Sequence, residues 1–316
     1  MASVKNGILI SVIIPVFQSP QGLCDTVESA VAQNTSCDYE IVVVDNGSRD
    51  STKQVGHKLA DKYPDRVRIL HEDSIQSSYA ARNLGIRESR GKILCFIDAD
   101  MTMPIDYISK IEKNFTDPEL AYLGYRVEMI CRRGTLMEAF CAANSFPMKY
   151  YFESGHFCGT GCLAVRREIF DCVGNFDHRL ESGGDREFGE RVYLAGLTQK
   201  FDNDIAVYHP AHYSYIGKIR KERRIARGVV KLSQLYPERY NHLLNSYFKL
   251  SKYIPLKRQE HCVAAARKSN RSGLGFLMLR LYYFPIRYFG LYECIKQIKY
   301  AKKAVRCTSK TCKAGV

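Results

Sequence analysis

Residues 40–62 read EIVVVDNGSRDSTKQVGHKLADK. The run Glu40–Asp45 is short, rich in β-branched residues and ends on an acid, as a buried strand does at its carboxyl end. Asn46-Gly47-Ser48 permits a tight turn, Ser51 stands where an N-cap oxygen is useful, and Thr52–Lys62 carries helical spacing. The same alternation extends on both sides. Ile8–Phe17, Val67–His71 and Lys92–Asp98 are expected strands, and Gln21–Gln33 and Ser78–Glu88 expected helices. Leu23, Val27, Ala30 and Val31 share one stripe of the first helix, and Ser77 heads the second. Strands alternating with helices of this length predict βαβ units and a mostly parallel α/β sheet covered on both faces. Ligands of such sheets collect at the strands' carboxyl ends, which directs attention to Pro15–Gln18, Asp45–Ser48 and Asp98–Asp100.

After Pro104 the pattern loosens. A helix is expected over Pro104–Phe115, a strand over Ala121–Ile130 and a helix over Thr135–Ser145. Tyr150–Gly161 reads as an aromatic, glycine-rich connection, followed by a short strand Cys162–Arg166. Glu181–Asp185 (ESGGD) reads as a turn, then come helix Arg186–Ala195 and strand Gln199–Tyr208. From Gly217 β-propensity gives way to basic amphipathic helices, so the chain divides into an α/β domain, 1–216, and a basic helical extension, 217–316.

With 316 residues, 46% hydrophobic and 25% charged, the composition excludes wholesale disorder. The net charge of +14 is uneven: residues 217–316 hold 24 Lys and Arg against four acids, leaving 23 bases and 29 acids before them. Such a tail is suited to a polyanion. Twelve cysteines contain no C-x-x-C pair, so neither a zinc site nor a disulfide framework is expected. No apolar run approaches the ~18 residues of a spanning helix, and Ile8–Phe17, broken by Pro15, is not a signal peptide. A reducing, cytoplasmic setting is therefore expected.

Phe96-Ile97-Asp98-Ala99-Asp100 places two carboxylates just past an apolar strand, an arrangement that suits Mg²⁺ or Mn²⁺ shared with substrate phosphates. Two acids capping a loop is the bland alternative. Asp45 could accept a hydrogen bond from a base N–H, or simply close a turn. Gly159–Ala164 fits G-x-G-x-x-A, but no strand leads into it and no helix opens on it, so a dinucleotide fingerprint is rejected.

Together ISVIIPVFQ, EIVVVDNGSRDST, YAARNLGI and ILCFIDADM resemble family 2 glycosyltransferases, in order and spacing, over roughly residues 8–213. The resemblance implies a GT-A fold, a nucleotide-sugar donor, a divalent metal (Mn²⁺ or Mg²⁺) and inversion. It places Pro15 and Phe17 beneath the nucleoside, Asp45 on the base, Arg82 and Asn83 near the nucleotide, and Asp98, Ala99 and Asp100 at metal and ribose. It implies that Gly161 lets backbone approach the sugars, and that His209 or His212 completes the metal site or contacts the diphosphate. Within ESGGDREFGER it marks Asp185 as general base and Arg191 as the motif's arginine. Two positions depart from the pattern: Asn46 replaces an acid, and Gly184 replaces the Glu before Asp185. Glu187 thus stands as a rival base and Glu181 as a more distant one, with a non-catalytic nucleotide-sugar-binding scaffold as a rival function.

The lack of a spanning run excludes a processive synthase with its own channel, and leaves a glycan, polysaccharide or lipid-linked acceptor open. In the tail, Gly273–Tyr300 interleaves Leu, Phe and Tyr with Arg280, Arg287, Lys296 and Lys299, with a kink expected at Pro285. This pattern describes an interfacial helix on an anionic membrane. Packing on the catalytic domain or on a second subunit is the alternative, and nucleic acid is disfavoured because the tail is too apolar for a phosphate-binding arm.

Overall fold

The computed structural model describes residues 9–144, 146–211, 214–249, 253 and 285–301. The elements run β1 (Ile10–Val16), α1 (Pro20–Val31), β2 (Tyr39–Asp45), α2 (Thr52–Lys62), β3 (Val67–His71), α3 (Ser78–Glu88) and β4 (Ile93–Phe96). They continue α4 (Tyr107–Asn114), β5 (Leu120–Ile130), α5 (Leu136–Asn144), α6 (Met148–Gly155), a 3₁₀ turn at Thr160–Cys162 and β6 (Leu163–Arg166). Last come α7 (Ile169–Val173), α8 (Gly184–Leu194), β7 (Thr198–Pro210), α9 (Tyr215–Leu235) and α10 (Pro237–Tyr247), and residues 285–301 are helical.

Two compact units form. The described residues of 1–130, 145–179 and 184–210 make the first, and those of 131–144, 180–183 and 211–316 the second. This differs from a single cut at 216/217, because membership is set by packing and two short early segments pack with the later helices.

The first unit is built on one sheet of order β3-β2-β1-β4-β6-β5-β7, parallel except for β6, which runs antiparallel to both β4 and β5. The expected mostly parallel α/β sheet is what forms. All residues of β1 and β2 are buried, as strands covered on both faces require. Among them, buried Glu40 is neutralised by Arg68 and Arg90 and accepts from Ser11 Oγ at 2.8 Å.

Pro15 is tolerated in this central strand because of register. Ile13 O accepts from Ile97 N as the β1–β4 ladder ends, and Pro15, of the same parity, turns its missing N–H to the side where no partner strand continues. β1 pairs with β2 on one side and β4 on the other, so the chain reverses its winding there and opens a crevice at their carboxyl ends.

Three local readings change. Tyr150–Gly161 is not all connection: α6 occupies Met148–Gly155 and ends on His156 in the left-handed conformation, φ 53°, a helix stop without the usual glycine. Helix α7, only five residues long, carries too little periodicity to be read. Helix α8 starts at Gly184, so Asp185 lies in its first turn rather than before it.

In the second unit, Glu138 accepts from the backbone N–H groups of Arg132, Arg133 and Thr135 while Thr135 Oγ1 accepts from Glu138 N, a capping box that starts α5. Helix α9 is capped by Ser214, and its Arg223 and Arg227 flank buried Glu293 of the helix at 285–301. Pro285 is the first described residue of that helix, and residues 281–284, on the other side of the expected kink, lie outside the described residues. Among the described residues no helix is long and apolar enough to cross a membrane.

Candidate active site

The loops at the carboxyl ends of β1, β2 and β4 are tied together. Gln18 N donates to Ser48 Oγ and Ser19 N to Thr52 Oγ1, each at 2.9 Å, which joins the loop after β1 to the loop after β2. Gly22 on α1 lets the Asp98–Asp100 turn sit close: a Cβ there would lie 2.5 Å from the carbonyl oxygen of buried Ala99. Phe17 is exposed just past buried Pro15 at the rim of this crevice.

Asp45 ends β2 with its side chain buried. Its Oδ2 accepts from Ser48 N at 3.3 Å, and its Oδ1 has no hydrogen-bond partner. His71, its register partner at the end of β3, has Nδ1 3.8 Å from Asp45 Oδ2, also without a hydrogen bond. Buried polar atoms are seldom left unpaired, and Asp45 Oδ1 retains its capacity to accept a hydrogen bond. Next to it Asn46 explains its own departure from the acidic pattern. Its Nδ2 donates to the carbonyls of Glu72 and Ile75 at 2.9 and 2.8 Å, which a carboxylate could not do.

Arg82 is buried on α3, and its Nη2 is 2.5 Å from Asp98 Oδ1. Its Nε has no hydrogen-bond partner. Asp98's other oxygen is approached by Gly161, where a Cβ would stand 2.9 Å from Oδ2 and 2.7 Å from Met101 Sδ; only glycine fits. Asn83 faces elsewhere. Its amide accepts from Phe176 N and donates to Phe176 O, at 3.1 and 2.9 Å, so it clamps the loop that carries Phe176.

Asp100 meets His209, whose Nε2 is 3.5 Å from its Oδ2. His209 lies within β7 rather than after it, and its Nδ1 is 2.7 Å from Pro210 O. Donation from Nδ1 leaves the Nε2 lone pair directed at Asp100's side, the tautomer a metal ligand needs. Phe146 packs on the ring, with centroids 5.0 Å apart. His212 lies outside the described residues. Among the described residues no three His, Cys, Asp or Glu side chains form a ready-made metal cage. A carboxylate and an imidazole fit a hard divalent cation that takes its remaining ligands from phosphate and water.

Asp185, half-buried in the first turn of α8, has Oδ1 accepting from Arg186 N at 2.9 Å. Burial pushes its carboxyl above the usual range, although that N–H, Arg82 and Arg186 all oppose the rise. Arg82 therefore acts on two acids, bonding Asp98 directly and Asp185 through its charge. Gly184 also explains its departure: a Cβ there would lie 2.7–3.0 Å from ring atoms of Tyr79. Tyr79, quoted within YAARNLGI but given no role from sequence, is the residue that one-dimensional reading missed; only its place at the head of α3 hinted at it.

Glu187 is buried and bonded through both oxygens to Arg191 Nε at 2.8 and 2.9 Å. Arg191 also donates to the carbonyls of Val173, Gly174 and Asn175. This pair fastens the α7–α8 connection, and neither member is available to take a proton from an acceptor.

Residues 11–174 match the family model for glycosyl transferase family 2. Glycosyltransferase AglE of Haloferax volcanii is 32% identical over 228 residues, covering 72% of this chain and 74% of that protein. A human dolichyl-phosphate beta-glucosyltransferase is 29% identical over 116 residues, 34% of this chain and 36% of its own. Among solved structures, the mannosyltransferase of Pyrobaculum calidifontis in complex with GDP-Man and Mn²⁺ superposes with a TM-score of 0.61 at 18% identity, over 93% of this chain and 88% of the other. At that identity the likeness speaks for the fold alone.

Proposed function

As this chain belongs to glycosyl transferase family 2, and so is an enzyme that moves a sugar from a nucleotide-sugar donor, we propose that it does so by a single inverting displacement with Asp185 as general base. The observation that carries this reading is the placement of Arg82 between the acid that follows β4 and the acid that opens α8. One guanidinium thus stands where a leaving diphosphate and an incoming hydroxyl would meet.

The nucleoside lies at the crevice, with Asp45 Oδ1 accepting from a base N–H and Phe17 and Pro15 beneath it. Asp100 and His209 hold a divalent cation, Mn²⁺ or Mg²⁺, while Asp98 is kept in place by Arg82. When bound, that cation neutralises the charge that develops on the leaving diphosphate. Asp185 removes the acceptor hydroxyl's proton as the oxygen bonds to the anomeric carbon and the bond to the diphosphate breaks. Burial keeps this carboxylate more basic than an exposed one, which suits the role.

The acceptor is a glycan, polysaccharide or lipid-linked hydroxyl, and the second unit carries the enzyme on an anionic membrane surface. Exposed Tyr288, Tyr292 and Ile295, with Lys296 and Lys299 on the same helix, support that placement. Phe276, Leu277, Leu281 and Phe284, which the sequence assigns to the same surface, lie outside the described residues.

The test is donor hydrolysis. GDP-mannose and UDP-glucose are incubated with the protein and Mn²⁺, and released sugar is measured with wild type and Asp185→Asn. Slow hydrolysis by wild type that Asp185→Asn abolishes supports the assignment; equal hydrolysis by both refutes it.

A further inference from the structure

Tyr79 stands where the first turn of α8 presents its unpaired N–H groups. Its phenolic oxygen accepts from Gly184 N at 2.9 Å and from Asp185 N at 3.3 Å. The ring is buried, stacked on Phe176 with centroids 5.9 Å apart, and the Arg82 guanidinium lies 5.6 Å from its centroid. The same ring fills the volume a side chain at 184 would need. Position 79 and position 184 are thus one device split between two helices.

We propose that Tyr79 is a positioning residue for Asp185: its oxygen takes up the two N–H groups that open α8 and so sets the field in which the Asp185 carboxylate works. The inference rests on the reading of Asp185 as general base. An acid in the first turn of a helix is ordinarily stabilised as its anion by those N–H groups and by the macrodipole, which makes it a weak base. Here two of the donors are spent on the phenol, and the carboxylate keeps the N–H of Arg186. The groups that act on Asp185 are Arg82 and Tyr79 from α3, Arg186 from α8 itself, Tyr122 from β5 and Cys162 from the 3₁₀ turn. Burial raises the phenol and thiol among them above their usual range, so they stay neutral and the two arginines supply the positive charge. Tyr79 therefore serves as a neutral acceptor that offsets part of that positive field.

Tyr79→Phe keeps the ring and removes the oxygen. Two N–H dipoles then act unopposed on Asp185, the anion is favoured, and the base weakens. We expect kcat for donor hydrolysis with Mn²⁺ to fall roughly three- to tenfold, the Brønsted scale for a base weakened by about one pKa unit. Donor KM should stay unchanged, and the acid limb of the pH profile should move to lower pH. 3,5-Difluorotyrosine introduced at position 79 keeps the shape and weakens the acceptor, so folding is not at stake; it should move both quantities the same way by less.

A carboxyl ¹³C resonance that Asp185→Asn removes gives the same titration without turnover, and it too should shift down in Tyr79→Phe. Unchanged kcat and pH limb in both variants, or a limb that moves to higher pH, overturns the proposal. If Asp185→Asn itself hydrolyses donor like wild type, the reading of the base has failed. If Asp185→Asn is inactive and Tyr79→Phe behaves as wild type, only the role of Tyr79 has failed.

Discussion

His209 and Asp100 stand 3.5 Å apart, although one belongs to β7 and the other to the turn after β4. What joins them is backbone: Thr102 and Tyr208 form an isolated antiparallel bridge, exchanging hydrogen bonds of 2.9 and 2.8 Å. The bridge fixes the residue after Tyr208 beside the residue two before Thr102. The proposed metal-ligand pair is thus brought together by register, with no long loop to order.

The proposed metal use is tested at that pair. Asp100→Ala and His209→Ala should each abolish the extra thermal stabilisation that Mn²⁺ gives in the presence of a nucleoside diphosphate. In wild type a nucleotide at 100 times its dissociation constant should add about 2.7 kcal/mol, and EDTA should remove the metal-dependent part reversibly. Mn²⁺ stabilisation that survives both substitutions would place the metal elsewhere.

Asp185→Asn is expected to separate activity from stability. Turnover should fall by roughly 100-fold or more, the scale for loss of a general base, with donor affinity kept. The sign for stability is opposite. Because the folded carboxyl titrates above its unfolded value, the folded state binds the extra proton, and stability declines as pH rises from the unfolded value through the folded one. The neutral amide escapes that decline, so Asp185→Asn should melt higher than wild type at pH 7, with the gain vanishing below pH ~4, near the unfolded pKa. A lower melting temperature at pH 7 would contradict the assigned environment.

Glu187→Gln should behave in the reverse manner. Removing one partner of a buried ion pair strands the other, here at a cost of about 3 kcal/mol, while turnover per folded molecule stays near wild type. Chemical denaturation and an active-site-normalised rate measure the two effects. A 100-fold loss of rate without loss of stability would make Glu187 the base after all.

Asp45→Asn exchanges a buried acceptor for an amide at the proposed nucleobase position. Loss of a hydrogen bond to a charged group should weaken UDP or GDP binding by about 10- to 100-fold, corresponding to about 1.5–3 kcal/mol. Calorimetric titration of both nucleotides tests this and identifies the preferred base. Unaltered affinity for each would remove Asp45 from the donor site.

For the second unit, salt separates charge from apolar burial. Binding to vesicles containing acidic lipid should weaken between roughly 0.05 and 0.5 M salt without vanishing, because screening spares the hydrophobic part. Replacing Tyr288, Tyr292 and Ile295 together by Ser should remove the salt-resistant component. Equally poor binding to neutral and acidic vesicles would leave acceptor or subunit contact as the role of this surface.

The sequence by itself determined the sheet and the edge at which its strand-end acids gather. The runs within Glu40–Asp45 and Lys92–Asp98 form strands because apolar residues buried on both faces leave few alternatives, and the acids that end or follow them must lie at one edge of a parallel sheet. Only tertiary structure decided what each acid and amide does. Asn46 and Gly184 look like losses in one dimension; in three, one is an amide donor to two carbonyls and the other makes room for Tyr79. Glu187 and Asp185 are two residues apart and chemically alike, yet one is locked by Arg191 and the other lies beside Arg82. Asn83 and Arg82 are neighbours, and they too point to different work. The physical reason is common to all of them. Local propensity and hydrophobic period are properties of adjacent residues, whereas the state of a polar side chain is set by the partner that long-range packing brings against it.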